Sequence, residues 1–106
     1  MSGIFNAEVL LAEVTSDRRY KEFLRVPALS AGIYVLAANA TDGQSSHQED
    51  EIYYVVRGKA KVRIGTSEQA VQAGSVVFVE ARAKHCFFDI EEELVLLVVF
   101  APAETS

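Results

Sequence analysis

The segment IYYVVRGKAKVRI, residues 52–64, contains two runs of β-forming residues separated by Arg57-Gly58. The first run, 52–56, is β-branched and aromatic, and the second, 59–64, alternates basic and apolar residues. Alternation with a period of two is typical of a half-buried strand. The sequence therefore predicts a strand, a turn or bend at Arg57-Gly58 and a second strand whose basic face points outward.

Similar short segments lie on both sides of this one. The further candidate strands are apolar or β-tolerant runs bounded by glycine or polar residues: 8–14, 20–26, 32–38, 75–80, 84–90 and 94–100. The polar segment 39–50 predicts a loop. Seven or eight short strands, with glycine-containing turns and no amphipathic helix of about 10 residues, predict an all-β sandwich or small barrel. Such a fold can enclose a ligand cavity.

The composition excludes several classes of protein. The chain has 10 Lys+Arg against 15 Asp+Glu, a formal charge of −5, which argues against nucleic-acid binding and suits a neutral or cationic small molecule or a metal cation. The single cysteine forms no internal disulfide, and no apolar run approaches the roughly 18 residues of a membrane span. We therefore expect a cytoplasmic protein that binds no membrane, with one domain over residues 1–106.

Both histidines of the chain lie next to the strand pattern. His47 precedes Glu51 by four residues, a spacing that places both side chains on one face of a strand. If His85 comes from an opposite strand, two imidazoles and one carboxylate converge. This ligand set is used for non-haem Fe(II) and is acceptable to Mn(II), Zn(II), Ni(II) or Co(II). Without a motif, two histidines are more often ordinary surface or core residues.

The spacing around these residues resembles the two sequence motifs of the cupin family. The segment 43–58, GQSSHQEDEIYYVVRG, is similar to the first motif, G(X)5HXH(X)3,4E(X)6G. The segment 74–89, GSVVFVEARAKHCFFD, is similar to the second motif, G(X)5PXG(X)2H(X)3N. The gaps from histidine to glutamate and from glutamate to the closing glycine match in the first motif, and the gap from the opening glycine to the histidine matches in the second.

The resemblance implies a fold and a site. The fold is the double-stranded β-helix, or jelly roll, of small single-domain cupins. The implied metal ligands are His47, Glu51 and His85, with Fe(II) as the expected metal. Tyr53 shares a strand face with Glu51, so it is a candidate catalytic residue that would contact a substrate or donate a proton.

One departure from the first motif affects the ligand set. The first histidine of HXH is replaced by Ser45, which leaves one position of the usual set open to water or substrate. Gln44, Ser45 and Glu49 are candidates to complete the coordination, although such residues are more often ordinary polar loop residues.

Other departures affect the backbone. The opening glycine of the first motif falls on Asn39, and in the second motif the proline falls on Glu80, the glycine on Arg82 and the asparagine on Asp89. We therefore expect the loop before His85 to lack the backbone freedom that glycine gives.

The family includes dioxygenases, decarboxylases, isomerases, lyases and non-enzymatic binding domains, so the resemblance implies the fold more firmly than the reaction. The leading hypothesis is a metal-binding cupin that binds or transforms a small organic molecule. Its most concrete form is a mononuclear iron dioxygenase acting on an enol, a phenol or a thiol. The alternatives are a metal-assisted isomerase or lyase and a non-catalytic binding or sensing module.

The apolar content of the strands also predicts the assembly. The segments 94–100 and 8–14 are more apolar than one small barrel needs to cover its core. Small cupins commonly form dimers through their outer strands, so we expect a homodimer.

Overall fold

Within residues 2–43 and 45–105, which the computed structural model describes, the chain is almost entirely β-structure. The elements are α1 (Ala7–Leu11), β1 (Tyr20–Val26), β2 (Leu29–Leu36), β3 (Asp50–Ile64), β4 (Ser67–Gln72), β5 (Val76–Val79) and β6 (His85–Ala101). The predicted all-β fold is confirmed. In the described part of the chain, no helix is long and apolar enough to cross a membrane.

The first predicted strand, 8–14, is wrong, because this segment begins in helix α1. The Asn6 side chain caps the helix, since its Oδ1 accepts hydrogen bonds from the backbone N–H groups of Glu8 and Val9 at 2.9 and 3.2 Å. Asparagine is among the residues that most favour this position. The local capping interaction therefore outweighs the β-tolerance of the apolar residues that follow.

Of the turn or bend predicted at Arg57-Gly58, the structure has the bend, because β3 continues through these residues. Strands β3 and β6 pair antiparallel along most of their length, and the register is irregular over 55–61. Gly58 has a φ of 109°, and a Cβ at this position would overlap the carbonyl oxygen of Glu93. The glycine therefore allows two long strands to bend together. The predicted break between 84–90 and 94–100 is likewise bridged by β6.

The strand order is β1-β2-β6-β3-β4, with β5 paired to β3. The first half of β3 pairs with β5 and the second half of β6, whereas its second half pairs with β4 and the first half of β6. Tyr53 lies in the first half of β3 and Phe87 in the first half of β6, yet their rings pack edge to face with centroids 5.0 Å apart. The two halves of the sheet therefore fold onto each other, as in a double-stranded β-helix.

The interior between the two halves is apolar. Its buried side chains come from alternate positions of the strands: Leu36, Tyr53, Val55, Ala60, Val62, Val71, Val77, Val79, Phe87, Ile90, Leu94, Leu96, Val98 and Phe100. Among the described residues, four polar side chains are also buried: Ser30, Glu49, Glu51 and His85. Buried polar groups need partners: Glu51 and His85 face each other, whereas Ser30 and Glu49 bind the C-terminal residues 104 and 105.

Candidate metal centre

The side chains of His47, Glu51 and His85 converge inside the folded sheet, as the sequence predicts. Their nearest ligand-type atoms all lie within 4.8 Å of one another. Glu51 is the second residue of β3, His85 is the first residue of β6, and His47 lies in the loop before β3. Glu51 and His85 are not neighbours in the strand register, since Glu51 pairs with Phe100. Their side chains come close because the two halves of the sheet fold onto each other.

The orientation of His85 is fixed by its neighbours. Nδ1 lies 3.0 Å from the carbonyl oxygen of Ala83, which can only accept, so Nδ1 carries the proton and donates it. Nε2 faces Glu51 Oε1 at 3.2 Å and Tyr53 Oη at 3.0 Å. The pKa of His85 is raised: burial acts to lower it, but the Glu51 carboxylate and the Ala83 carbonyl more than offset that effect. In the neutral ring, the lone pair of Nε2 points into the cluster.

Tyr53 lies on the same inner face of β3 as Glu51, as predicted. Its side chain is buried, and its hydroxyl reaches His85 Nε2. Burial, with the nearby Glu51 carboxylate as a second cause, raises the pKa of Tyr53 strongly. The residue therefore stays a neutral phenol that can donate a hydrogen bond or a proton inside the cavity.

The charge and hydrogen bonding of Glu51 test whether the residues fit a metal ion. Glu51 is 2% exposed, and within the described residues its buried Oε1 has no hydrogen-bond donor while the His85 ring is neutral, although Nε2 lies 3.2 Å away. An ionised carboxylate in such a place is costly unless a cation or a donor compensates it. Two imidazoles and one carboxylate with open positions are the donor set of non-haem Fe(II) and related divalent ions. The three residues therefore fit a divalent metal.

His47 is held from several sides. Its carbonyl oxygen accepts a hydrogen bond from the backbone N–H of Arg82 at 2.6 Å. Its ring centroid lies 5.0 Å from that of Phe100 and 5.6 Å from that of His85. Its Nδ1 lies 3.4 Å from Glu104 Oε2. Sequence reasoning missed Glu104, because it lies beyond both motifs and only the fold brings it to the site.

The loop before His85 does not lack the conformation that glycine would provide, so that expectation is wrong. Arg82 has a φ of 67°, in the left-handed region, where the second motif has its glycine. Asp89, with a φ of 48°, and Asn39, with a φ of 62°, occupy the asparagine and first-motif glycine positions. The chain thus has a positive φ at three positions where its residues depart from the motifs.

The candidates for a further ligand differ in position. Ser45 lines the cavity and forms a two-way backbone bridge with His85, with both N–H to oxygen distances at 2.9 Å. Glu49 points elsewhere, because its Oε2 accepts hydrogen bonds from Thr105 N and Oγ1 at 3.1 and 2.7 Å. The Thr105 hydroxyl is also the main cause that lowers the pKa of Glu49. Gln44 lies outside the described residues.

A cavity of about 400 Å³ adjoins the cluster, within the size range of small-molecule pockets. It is lined by aromatic, acidic and small residues: Tyr20, Tyr34, Asp42, Gly43, Ser45, His47, Glu51, Tyr53, Val98, Phe100 and Glu104. Asp42 is fixed by the Tyr34 hydroxyl, which donates to Oδ1 at 3.0 Å, and by the Phe87 N–H, which donates to Oδ2 at 2.7 Å. Burial raises the pKa of the Glu104 carboxyl, and the nearby His47 opposes this rise.

Comparison with known proteins agrees with the fold and the spacing. A family profile described as a cupin domain matches residues 32–100. An uncharacterised protein of Streptomyces coelicolor is 43% identical over 102 residues, which cover 95% of this chain and 97% of that protein. It carries no stated activity.

Two solved structures are similar in fold. A protein of Thermus thermophilus has a TM-score of 0.78 and 24% identity, with 94% of this chain and 97% of that chain covered. A Klebsiella pneumoniae protein with a double-stranded β-helix domain has a TM-score of 0.78 and 16% identity, with 96% and 91% covered. At these identities the likeness shows the fold alone.

Proposed function

The chain belongs to the cupin family, and on that basis we propose that it is a small metal-binding cupin whose ligands are His47, Glu51 and His85. The observation that carries the proposal is the convergence of these three side chains within 4.8 Å. The buried Glu51 Oε1 supports it, because its one near neighbour among the described donors is His85 Nε2 at 3.2 Å, which donates only when the ring is protonated.

Iron(II) is the metal that we propose, with Mn(II), Zn(II), Ni(II) and Co(II) as alternatives that the same donors accept. When bound, a divalent ion supplies Lewis-acid chemistry, and iron(II) also supplies oxygen chemistry. The protein contributes the orientation of the ligands. Ala83 holds the His85 ring through Nδ1, and Arg82 holds the backbone of His47.

The charge of the cavity favours a neutral or cationic small molecule. Asp42, Glu51 and Glu104 line it, and the described lining includes no lysine or arginine. Two arginines that could have attracted an anion lie outside the lining: Arg25 is bound to Glu22 and to the Glu104 carbonyl, and Arg82 is exposed. The rings of Tyr20, Tyr34 and Phe100 would pack against the apolar part of the ligand.

The reaction that we propose first is oxygenation of a small enol, phenol or thiol by a mononuclear iron centre. A metal-assisted isomerase or lyase is the second candidate, and Tyr53 favours it. Its neutral hydroxyl lies 3.0 Å from His85 Nε2, so it is placed to donate a proton beside the metal ligands. A binding or sensing module would use the same cavity without turnover.

Elemental analysis of protein purified without added metal tests the metal site. We expect about one divalent metal per chain in the wild type and loss of the metal in the His47→Ala, His85→Ala double variant. Glu51→Gln should also lose it, whereas Glu91→Gln, a matched change of an exposed acid on β6, should keep it. Equal metal content in the wild type and the double variant would overturn the proposal.

Oxygen uptake then separates the candidate reactions. An iron-loaded sample consumes oxygen with a panel of enols and diketones if the chain is a dioxygenase. Conversion of a substrate without oxygen uptake supports the isomerase or lyase. Saturable binding without conversion supports the sensing module.

A further inference from the structure

The C-terminal tail places Glu104 beside His47, and we propose that Glu104 is a positioning residue for the metal site. Its carboxylate orients the His47 imidazole with the proton on Nδ1, so that the lone pair of Nε2 remains for the metal. This inference rests on the proposed metal-binding function.

The tail is bound to the body of the protein at successive residues. The N–H of Ala103 donates to the carbonyl oxygen of Pro27 at 3.4 Å, and the N–H of Glu104 donates to Ser30 Oγ at 2.9 Å. Arg25 Nη2 donates to the Glu104 carbonyl oxygen at 2.9 Å. Both backbone polar groups of Glu104 are therefore bound, which fixes where its side chain begins.

Two of the buried polar side chains, Ser30 and Glu49, accept hydrogen bonds from this tail. Ser30 is 0% exposed and Glu49 is 4% exposed. Ser30 accepts from the Glu104 N–H, and Glu49 accepts from both the N–H and the hydroxyl of Thr105. A buried carboxylate and a buried hydroxyl are costly without such partners. The tail is thus fastened on both sides of the Glu104 side chain.

The Glu104 carboxylate acts on the site through His47. Its Oε2 lies 3.4 Å from Nδ1 of His47, and the two side chains are 23% and 25% exposed. The described cluster of ligand atoms within 4.8 Å contains His47, Glu51 and His85 but not Glu104. A carboxylate that holds the second nitrogen of a ligating histidine fixes the tautomer and raises its basicity. The carbonyl oxygen of Ala83 has the same role at His85, where it accepts a hydrogen bond from Nδ1.

Metal affinity, measured by competition with a chelator, gives the first test. We expect Glu104→Ala to weaken metal binding about 10- to 100-fold. Glu104→Gln should recover most of this loss, because its amide oxygen still accepts from Nδ1. Glu91→Ala, a change of an exposed acid on β6, should have no effect. Unchanged affinity in Glu104→Ala overturns the proposal, and an equal loss in both Glu104 variants also overturns it, since that result indicates a direct carboxylate ligand.

Imidazole nitrogen NMR of the metal-free protein gives the second test. The chain has 2 histidines, so both rings can be followed at a pH where they are neutral. We expect His47 to carry its proton on Nδ1 in the wild type and to become a tautomer mixture in Glu104→Ala. His85 should not change, because Ala83 fixes it.

This second readout needs no metal, so it separates the two proposals. A wild type that binds no metal while His47 changes tautomer in Glu104→Ala contradicts the proposed function and shows only that Glu104 sets the tautomer of His47. The same His47 tautomer in wild type and Glu104→Ala overturns the positioning role, whatever the metal content. Thermal unfolding of each variant verifies that the chain is folded.

Discussion

The left-handed backbone of Arg82 is the least favourable single-residue conformation around the site. Asparagine and aspartate tolerate this region because their short polar side chains bond locally, so Asn39 and Asp89 fit their positions. Arginine has no such compensation. The conformation is held because the Arg82 N–H donates to the His47 carbonyl oxygen, which ties the loop to a proposed metal ligand.

Replacing Arg82 by glycine should stabilise the protein. A left-handed conformation costs a residue with a Cβ about 1 to 2 kcal/mol, and glycine loses part of that gain through its larger unfolded-state entropy. We expect Arg82→Gly to raise the free energy of unfolding by up to about 1 kcal/mol. Urea denaturation measures it.

Arg82→Ala is the matched control for this prediction, because it removes the same exposed side chain but keeps a Cβ. It should not stabilise the protein. An equal gain in both variants would show that the arginine side chain, and not the backbone, is the source of the strain.

The extent to which sequence predicts the site differs by residue. His47, Glu51 and His85 follow from motif spacing, because the family's strand pairing converts that spacing into proximity. Glu104 does not, because its contact with His47 depends on how the tail binds to Ser30 and Glu49. Neither the periodicity of apolar residues nor a sequence motif predicts such a long-range contact.

At the scale of elements, Gly58 controls the bend shared by β3 and β6. Both Gly58, with a φ of 109°, and Gly74, with a φ of 94°, have positive φ, but only at Gly58 would a Cβ meet backbone atoms of Glu93 and Leu94. We expect Gly58→Ala to lower the free energy of unfolding by about 3 kcal/mol, from backbone strain plus overlap. Gly74→Ala, with open space around it, should cost about 1 kcal/mol.

Urea denaturation of the two alanine variants checks the difference. Equal losses would show that the positive φ alone matters and that the overlap at Gly58 is relieved by a small backbone movement. Such a result would contradict the role of Gly58 in setting the close approach of the two bent strands.

Arg57-Gly58 also shows why element boundaries were partly mispredicted. A glycine between two β-forming runs is the local signal of a turn and equally of a bulge. The difference is made by a strand far away in the sequence, β6, which pairs on both sides of the irregular region. For helix α1, the missed signal was local, since Asn6 is a favourable cap before a short apolar run.

At the scale of the whole molecule, one sheet face stands out as apolar and exposed. Ile52 and Tyr54 of β3 are 43% and 41% exposed, and Val76 and Phe78 of β5 are 66% and 58% exposed. They lie side by side, because Ile52 pairs with Phe78 and Tyr54 with Val76. We call these four residues the outer patch. The sequence predicts excess apolar surface in the segments 94–100 and 8–14, whereas the outer patch lies on β3 and β5.

The net charge of the chain favours a second molecule of the same protein as the partner that covers the outer patch. With a formal charge of −5, two copies of the chain repel each other overall. The four side chains of the outer patch carry no charge, so two copies can meet there about a two-fold axis without opposing like charges. Burying large apolar side chains then supplies the driving force.

We therefore predict a homodimer through the outer patch. Sedimentation velocity at micromolar concentration should give a mass of about twice the 11.6 kDa of one chain. Phe78→Glu should shift the protein to a single chain, because it places two like charges in the desolvated contact. Val9→Glu changes a side chain of α1 that is 63% exposed and outside the outer patch, so it should leave the dimer intact. A wild type that sediments as one chain, or a Val9 variant that dissociates as readily as the Phe78 variant, contradicts this interface.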